Sequence, residues 1–157
     1  MPKLQMPQPG DIVRCRFPFE EDHNLFKFRY ALVLFVAEPL FGNKQGVVVA
    51  YGTSQKLDRI YPDEFLLDQQ NPVFAVSGLK KSTKFNLSRT EIMEVRPRNF
   101  LFGPDGRVSV GVLHPSLIEK VRPAWKKRTP VSGLDAAMSL VDESLEEHDK
   151  PARPRMR

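Results

Sequence analysis

Two short polar segments beside apolar stretches are the places where this sequence could do chemistry. Arg29 opens the apolar stretch 30–37, and Thr53 and Ser54 lie just beyond the apolar stretch 46–51. A guanidinium stays charged at physiological pH and its planar fork fits phosphate oxygens, and a hydroxyl can donate a hydrogen bond to the same oxygens. These side-chain types therefore suit an anionic ligand such as a phosphate.

His23 adds a titratable group in the polar loop before Arg29. An imidazole with an ordinary pKa of about 6.5 can accept or donate a proton near neutral pH. Each of these residues also has an ordinary structural interpretation. Arg29 could pair with the loop acids at 20–22, Thr53 could serve the turn after Gly52, and His23 could be solvated. The residue types alone leave both interpretations open.

Familiar catalytic signatures are absent from the sequence. It contains no G-x-S-x-G elbow, no G-x-x-x-x-G-K-[ST] phosphate loop and no H-E-x-x-H zinc motif, and its acids do not have calcium-loop spacing. The single cysteine, Cys15, alternates with Arg14 and Arg16 in a strand pattern, so we predict a packing residue. We expect neither a metal nor a cofactor.

Length and composition predict one domain over residues 1–127, followed by a tail over 128–157. The 157 residues include eleven Phe, which favours a packed core over a disordered chain. The apolar run 30–37 is too short to span a membrane, which takes about 20 residues. Because we find no signal-peptide pattern and only one cysteine, we expect a cytoplasmic protein. A net charge of +5 suits an anionic partner.

Period-two alternation and β-branched runs predict a mainly β fold, a small barrel with a late α-helix. We predict strands at 11–19, 28–37 and 46–51, weaker ones at 63–67, 73–76, 84–87 and 92–96, and a hairpin over 100–113 that turns at 103–106. The helix is predicted from Ser116 to Arg122. Ser116 and Glu119 would form its capping box, and Pro123 would stop or kink it.

The tail has a different composition from the domain. Its stretch 135–149 holds six acids and neither Lys nor Arg, and residues 150–157 are basic. A flexible linker and an amphipathic helix are predicted here, because apolar residues recur at helical spacing. This apolar stripe consists of Leu134, Met138, Val141 and Leu145.

Three segments in order resemble the MazF/PemK family of toxins from toxin–antitoxin systems. The family pattern begins with a G-D-[IV] strand ending near a proline, as in Gly10-Asp11-Ile12 and Pro18 here. A strand of the type R-P-[AV]-[LV]-[VI]-[LIV] follows, matched from Arg29, and then a strand ending in T-[ST], matched by Thr53-Ser54. The segment 77–82, SGLKKS, is similar to a further family stretch. The resemblance covers about residues 8–125.

This resemblance implies an SH3-like barrel and a homodimer. It also implies a sequence-specific endoribonuclease that cleaves single-stranded RNA, such as mRNA, without metal and is inhibited by an antitoxin. In the implied reaction the RNA 2′-hydroxyl attacks the adjacent phosphorus, which leaves a 2′,3′-cyclic phosphate and a 5′-hydroxyl. Arg29 would stabilise the transition state. Thr53, with Ser54 beside it, would donate to the phosphate, and His23 would act as base or acid.

Several other residues are predicted to contact the RNA. Basic side chains would line its groove, and aromatic side chains near the start of the Arg29 strand would stack on bases. The predicted RNA contacts are Arg14, Arg16, Phe26, Gln55, Lys80, Lys81, Lys84 and Arg89.

Two departures from the family pattern favour a second interpretation. Tyr30 stands where the family usually has Pro, and Gly78 stands where some members have an acid. A non-catalytic barrel of the same shape could instead bind RNA or a protein target such as gyrase, as the toxin CcdB does. The acidic stretch resembles what antitoxins place along the groove of such toxins. It could therefore shield the groove in cis, or it could be solvated or docked in a dimer.

Overall fold

The structure is a computed structural model that describes residues 6–18, 25–36 and 46–128. These ranges hold six strands and one α-helix: β1 (Asp11–Pro18), β2 (Phe26–Val36), β3 (Gly46–Thr53), β4 (Glu64–Leu67), β5 (Thr83–Glu94), β6 (Ser109–Val112) and α1 (Ile118–Lys126). Short 3₁₀ helices occur at Phe74–Ser77 and Pro115–Leu117. His23, the loop acids at 20–22 and the predicted tail helix lie outside the described residues.

The six strands form a single antiparallel sheet in the order β4-β5-β3-β2-β1-β6. The sheet curls into half a barrel, and α1 packs on one of its faces. The prediction of a mainly β small-barrel fold with a late helix is therefore confirmed.

Alternation along β1 gives the sheet two apolar faces. Ile12 packs on the α1 side with Leu32 and Phe85. Val13, Cys15 and Phe17 point the other way, into a second apolar cluster. Because both faces are covered, the centres of β2 and β3 read in the sequence as nearly continuous apolar runs.

Burial makes Cys15 a packing residue, as the sequence predicts. The side chain has no solvent exposure, and its pKa is raised above the ordinary value, first by burial and then by the charge of Glu91. Since only the thiolate reacts rapidly, we expect the native protein to react with a disulfide reagent at pH 8 no faster than it unfolds. Reaction in denaturant should be complete at once. Rapid labelling of the folded protein would contradict this burial.

Three of the weaker strand predictions are corrected by the structure. Residues 73–76 fall in the 3₁₀ helix Phe74–Ser77, because Asn71 turns the chain by accepting a hydrogen bond from the Val73 amide at 3.0 Å. The segments 84–87 and 92–96 are not separate strands. Residues 84–87 and 92–94 belong to the single strand β5, which stays paired with β3 across a bulge between Ala50 and Tyr51.

The predicted hairpin over 100–113 forms only its turn. The Gly106 amide donates to the Gly103 carbonyl at 3.0 Å, as the turn residues predict. The two arms, however, pair with β1 instead of forming one hairpin ladder. Phe100 bridges to Cys15, and β6 lies along the start of β1. Burial of Phe100 in the second cluster favours this long-range pairing.

The late helix begins and ends differently from the prediction. Its first turn is the 3₁₀ helix Pro115–Leu117, and His114 caps it through Nδ1, which accepts from the Ser116 amide at 3.1 Å. The predicted capping box is therefore wrong. The helix also runs through Pro123 to Lys126, and Trp125 packs edge-on against Phe35 in β2. This packing offsets the hydrogen bond that Pro123 removes.

Two glycines hold the 3₁₀ helix Phe74–Ser77 against β6. Gly78 has a φ of +72°, and a Cβ there would overlap the Val110 carbonyl oxygen. A Cβ on Gly111 would overlap the Ser77 carbonyl group. The two backbones are thus in direct contact, which explains why position 78 holds no acid here. This contact fixes the start of the segment that carries Lys80 and Lys81.

No helix among the described residues is long and apolar enough to cross a membrane.

Candidate functional site

A cleft of about 270 Å³ lies where β2 begins and β3 ends. The segment just before β5, the first residue of β5 and Arg14 of β1 contribute the rest of its wall. Arg29 and Thr53, the predicted catalytic residues, both line this cleft, and so does Ser54. The full lining consists of Arg14, Lys27, Phe28, Arg29, Tyr30, Gly52, Thr53, Ser54, Lys80, Lys81 and Thr83.

Strand register explains why Arg29 and Thr53 meet. Ala31 in β2 is paired with Tyr51 in antiparallel β3. Arg29 lies two residues before Ala31 on β2, and Thr53 lies two residues after Tyr51 on β3. Because side chains two apart on a strand share a face, Arg29 and Thr53 lie on the same face next to each other. Gly52 permits the close approach of the strands at this point, since a Cβ there would lie 2.6 Å from the Tyr30 carbonyl oxygen.

An aromatic platform holds the guanidinium of Arg29. Its Cζ lies 5.5 Å from the ring centroid of Tyr51, which packs edge-on against Phe17 at 5.4 Å. A second guanidinium, that of Arg89, lies 3.9 Å from the same centroid. Among the described residues no carboxylate forms an ion pair with Arg29. The charge of Arg29 is therefore held by packing at the edge of an open cleft.

The hydroxyl of Thr53 is oriented by a local turn. Its Oγ1 accepts a hydrogen bond from the Gln55 amide at 3.1 Å. The turn interpretation from the sequence is thus correct, and it is compatible with function. Because the oxygen is the acceptor in this bond, the hydroxyl proton can be donated to a ligand in the cleft.

Positive charge dominates the cleft wall. Five of its lining residues are cationic (Arg14, Lys27, Arg29, Lys80 and Lys81), and the described lining includes no acid. Such a wall concentrates a positive field where solvent is partly excluded. The cleft wall is therefore electrostatically suited to an anion, and Arg29 and Thr53 both offer directional hydrogen-bond donors in it.

Arg14 carries a buried donor that has no partner among the described residues. Its Nε is buried, and no hydrogen-bond acceptor contacts it within the described part of the chain. The guanidinium also lies 5.3 Å from the ring centroid of Tyr30. Leaving a buried donor unpaired costs about 1–3 kcal/mol. An anion oxygen or a water in the cleft would remove this cost.

Five of the eight predicted RNA contacts lie outside the cleft lining: Arg16, Phe26, Gln55, Lys84 and Arg89. The guanidinium of Arg16 stacks on the ring of Phe26 at 3.9 Å, and Phe26 is 42% exposed. Gln55 is exposed beyond Thr53. Arg89 stacks on Tyr51 and donates to the Pro18 carbonyl at 2.9 Å. Arg16 and Phe26 still offer a cation and an aromatic face on the two strands that carry Arg14 and Arg29.

Lys84 is bound inside the protein and does not face the cleft. Its ammonium is 3.1 Å from the Glu64 carboxylate and donates to the Arg59 carbonyl at 3.0 Å. Both charged side chains are less than a tenth exposed. The pair joins β4 to β5, so the charge of Lys84 is already neutralised inside the protein.

A cation and a hydroxyl of the cleft, on Lys27 and Thr83, were not predicted from the sequence. Lys27 lies two positions before Arg29 on β2, and Thr83 is the first residue of β5. The spacing of Lys27 from Arg29 could have placed it on the same strand face. Thr83 reaches the cleft through the pairing of β5 with β3, which local sequence does not reveal.

No family model matches this chain, and no curated protein matches it. Among solved structures, this chain is similar to one titled Mycobacterium tuberculosis toxin MazF-mt6. The two are 20% identical, the alignment covers 74% of this chain and 93% of that one, and the TM-score is 0.49.

Proposed function

We propose that this protein is a toxin endoribonuclease of the MazF/PemK kind, which cleaves single-stranded RNA at specific sequences. The observation that carries the proposal is the meeting of Arg29 and Thr53 in one cleft walled by cations. The sequence resemblance, which matches Arg29 and Thr53 to the family's strand-opening arginine and active-site threonine, supports it independently.

In the proposed reaction the RNA supplies its own nucleophile. The 2′-oxygen forms a bond to the adjacent phosphorus while the bond from phosphorus to the 5′-oxygen breaks. Negative charge grows on the phosphoryl oxygens, where the guanidinium of Arg29 and the hydroxyl of Thr53 would stabilise it. The products are a 2′,3′-cyclic phosphate and a 5′-hydroxyl.

Two proton transfers complete the proposed reaction. The 2′-hydroxyl proton must go to a base, and the departing 5′-oxygen must gain a proton. His23 is our proposed base, with the loop acids at 20–22 as alternatives from the sequence. Arg29 can also donate to the leaving oxygen. The proposal needs no metal, and it includes control by an antitoxin and assembly as a homodimer.

One experiment tests the proposal directly. The purified protein is incubated with single-stranded RNA in EDTA, and the fragment ends are mapped. We expect fragments with 2′,3′-cyclic phosphate and 5′-hydroxyl ends. RNA that binds but stays intact would instead support the non-catalytic barrel.

Binding by the two lysines of the cleft gives a separate prediction. For single-stranded RNA, log affinity falls with log salt by about 0.7 per phosphate contacted. If Lys80 and Lys81 each contact one phosphate, the variant K80Q/K81Q should show a slope shallower by about 1.4. The variant K126Q/K127Q removes the same charge at the end of α1 and should leave the slope unchanged. Equal slopes for K80Q/K81Q and the natural sequence would contradict this binding mode.

A further inference from the structure

An apolar groove of about 330 Å³ lies between α1 and the second half of β2. It is distinct from the cleft, which uses the first half of β2. Apolar side chains dominate its wall, and one of them, Ile118, is 41% exposed. Covering exposed apolar surface of this kind with another apolar surface lowers the free energy. The apolar wall includes Leu34, Phe35, Leu113, Ile118, Val121 and Trp125.

The last described residue of the chain lies beside this groove. Arg128 is the last described residue, and its guanidinium stacks on the Trp125 ring at 3.7 Å. The same guanidinium donates to the Trp125 carbonyl at 3.1 Å. Because Trp125 lines the groove, the residues that follow Arg128 start next to it.

Length and pattern fit the following segment to the groove. Residues 129–133 include Pro130 and Gly133, and a linker of five residues reaches up to about 17 Å. Two antiparallel helices are commonly joined by a loop of about 2–5 residues. The stripe of Leu134, Met138, Val141 and Leu145 would extend for about 18 Å as a helix, slightly longer than α1.

Charge also favours contact between this segment and α1. The stretch 135–149 has six acids and neither Lys nor Arg. The helix α1 and the two residues after it carry five cations against a single acid, Glu119. A tethered segment also has an effective concentration of about millimolar, so it competes well against a second copy of the chain.

We propose that the groove is the docking site for this chain's own residues 134–145. They form a helix that lies along α1, with the apolar stripe against Ile118 and Trp125. This inference uses no feature of the cleft, so it does not depend on the proposed function.

The sole tryptophan provides the test. Acrylamide quenching of Trp125 fluorescence is measured on the full chain and on two variants. Each variant adds two carboxylates to one face of the segment 134–145. The variant M138D/V141D disrupts the stripe, and we expect its quenching constant to rise by about twofold or more, because the ring loses its apolar cover. The control A136D/S139D places the same charges on the opposite helical face and should behave like the natural sequence.

A variant on the groove side completes the design. I118D should raise quenching as M138D/V141D does, and the combination should add little, because both changes break one contact. Far-UV circular dichroism checks that the sheet is intact. Equal quenching in M138D/V141D and the natural sequence would overturn the proposal. Protection that disappears on about hundredfold dilution would also overturn it, since only a second copy binds in a concentration-dependent way.

Discussion

RNA cleavage by the variant R29A is expected to be slower by about 10²–10³-fold, the usual effect of removing one preorganised donor to a transition-state oxyanion. Arg29 has no carboxylate partner among the described residues and is held on the Tyr51 ring at the cleft. Within the described part of the chain its charge is therefore available to a ligand in the cleft. RNA affinity should change far less than the rate, because the other cleft cations remain.

Two controls separate chemistry from charge. R29K keeps the positive charge but loses the planar fork, so we expect a rate between those of R29A and the natural sequence. R107A removes an exposed arginine whose partner is Asp105 in the turn before β6, and it should cleave normally. Unchanged cleavage by R29A would remove Arg29 from the mechanism. Equal losses in R29A and R107A would show that only net charge matters.

The variant G78A is expected to lose about 2–4 kcal/mol of unfolding free energy, since it combines a strained positive φ with overlap against β6. Its Cβ would meet the Val110 carbonyl oxygen, and Gly111 on β6 leaves no room for the strands to adjust without moving Ser77. Urea unfolding measures the loss. Cleavage should fall as well where the protein stays folded, because this contact positions Lys80 and Lys81.

Gly10 supplies the matched control for strain without overlap. It has a φ of +94°, and a Cβ there would meet nothing within 4 Å. G10A should therefore cost only about 1 kcal/mol, the backbone part of the effect. If G78A and G10A were equally stable, the contact between the 3₁₀ helix and β6 would not be tight.

The candidate site was largely predictable because its main residues are placed by local rules. Arg29 lies near the start of β2 and Thr53 ends β3, and the apolar pattern of both strands is plain in the sequence. Antiparallel pairing of those two strands is then enough to bring the residues together. The roles of His23 and the tail remain predictions, because these residues lie outside the described ranges.

Long-range contacts decided the features that the sequence argument misjudged. Lys84 looked like a surface cation, but Glu64 neutralises it across the β4–β5 pair. Phe100 looked like the arm of a hairpin, but it bridges to Cys15 on β1. In both cases the partner is distant in sequence, so no local pattern predicts it.

The sequence by itself determined the class of fold, the position of Arg29 and Thr53 beside the apolar stretches of two strands, and the packing role of Cys15. Each of these follows from alternation or from residue chemistry within a few positions. Only the tertiary structure decided which cations face one cleft, why position 78 must be glycine, and where the apolar groove beside Trp125 lies. Those features depend on distances between segments, which the curl of the sheet sets and a linear pattern does not encode.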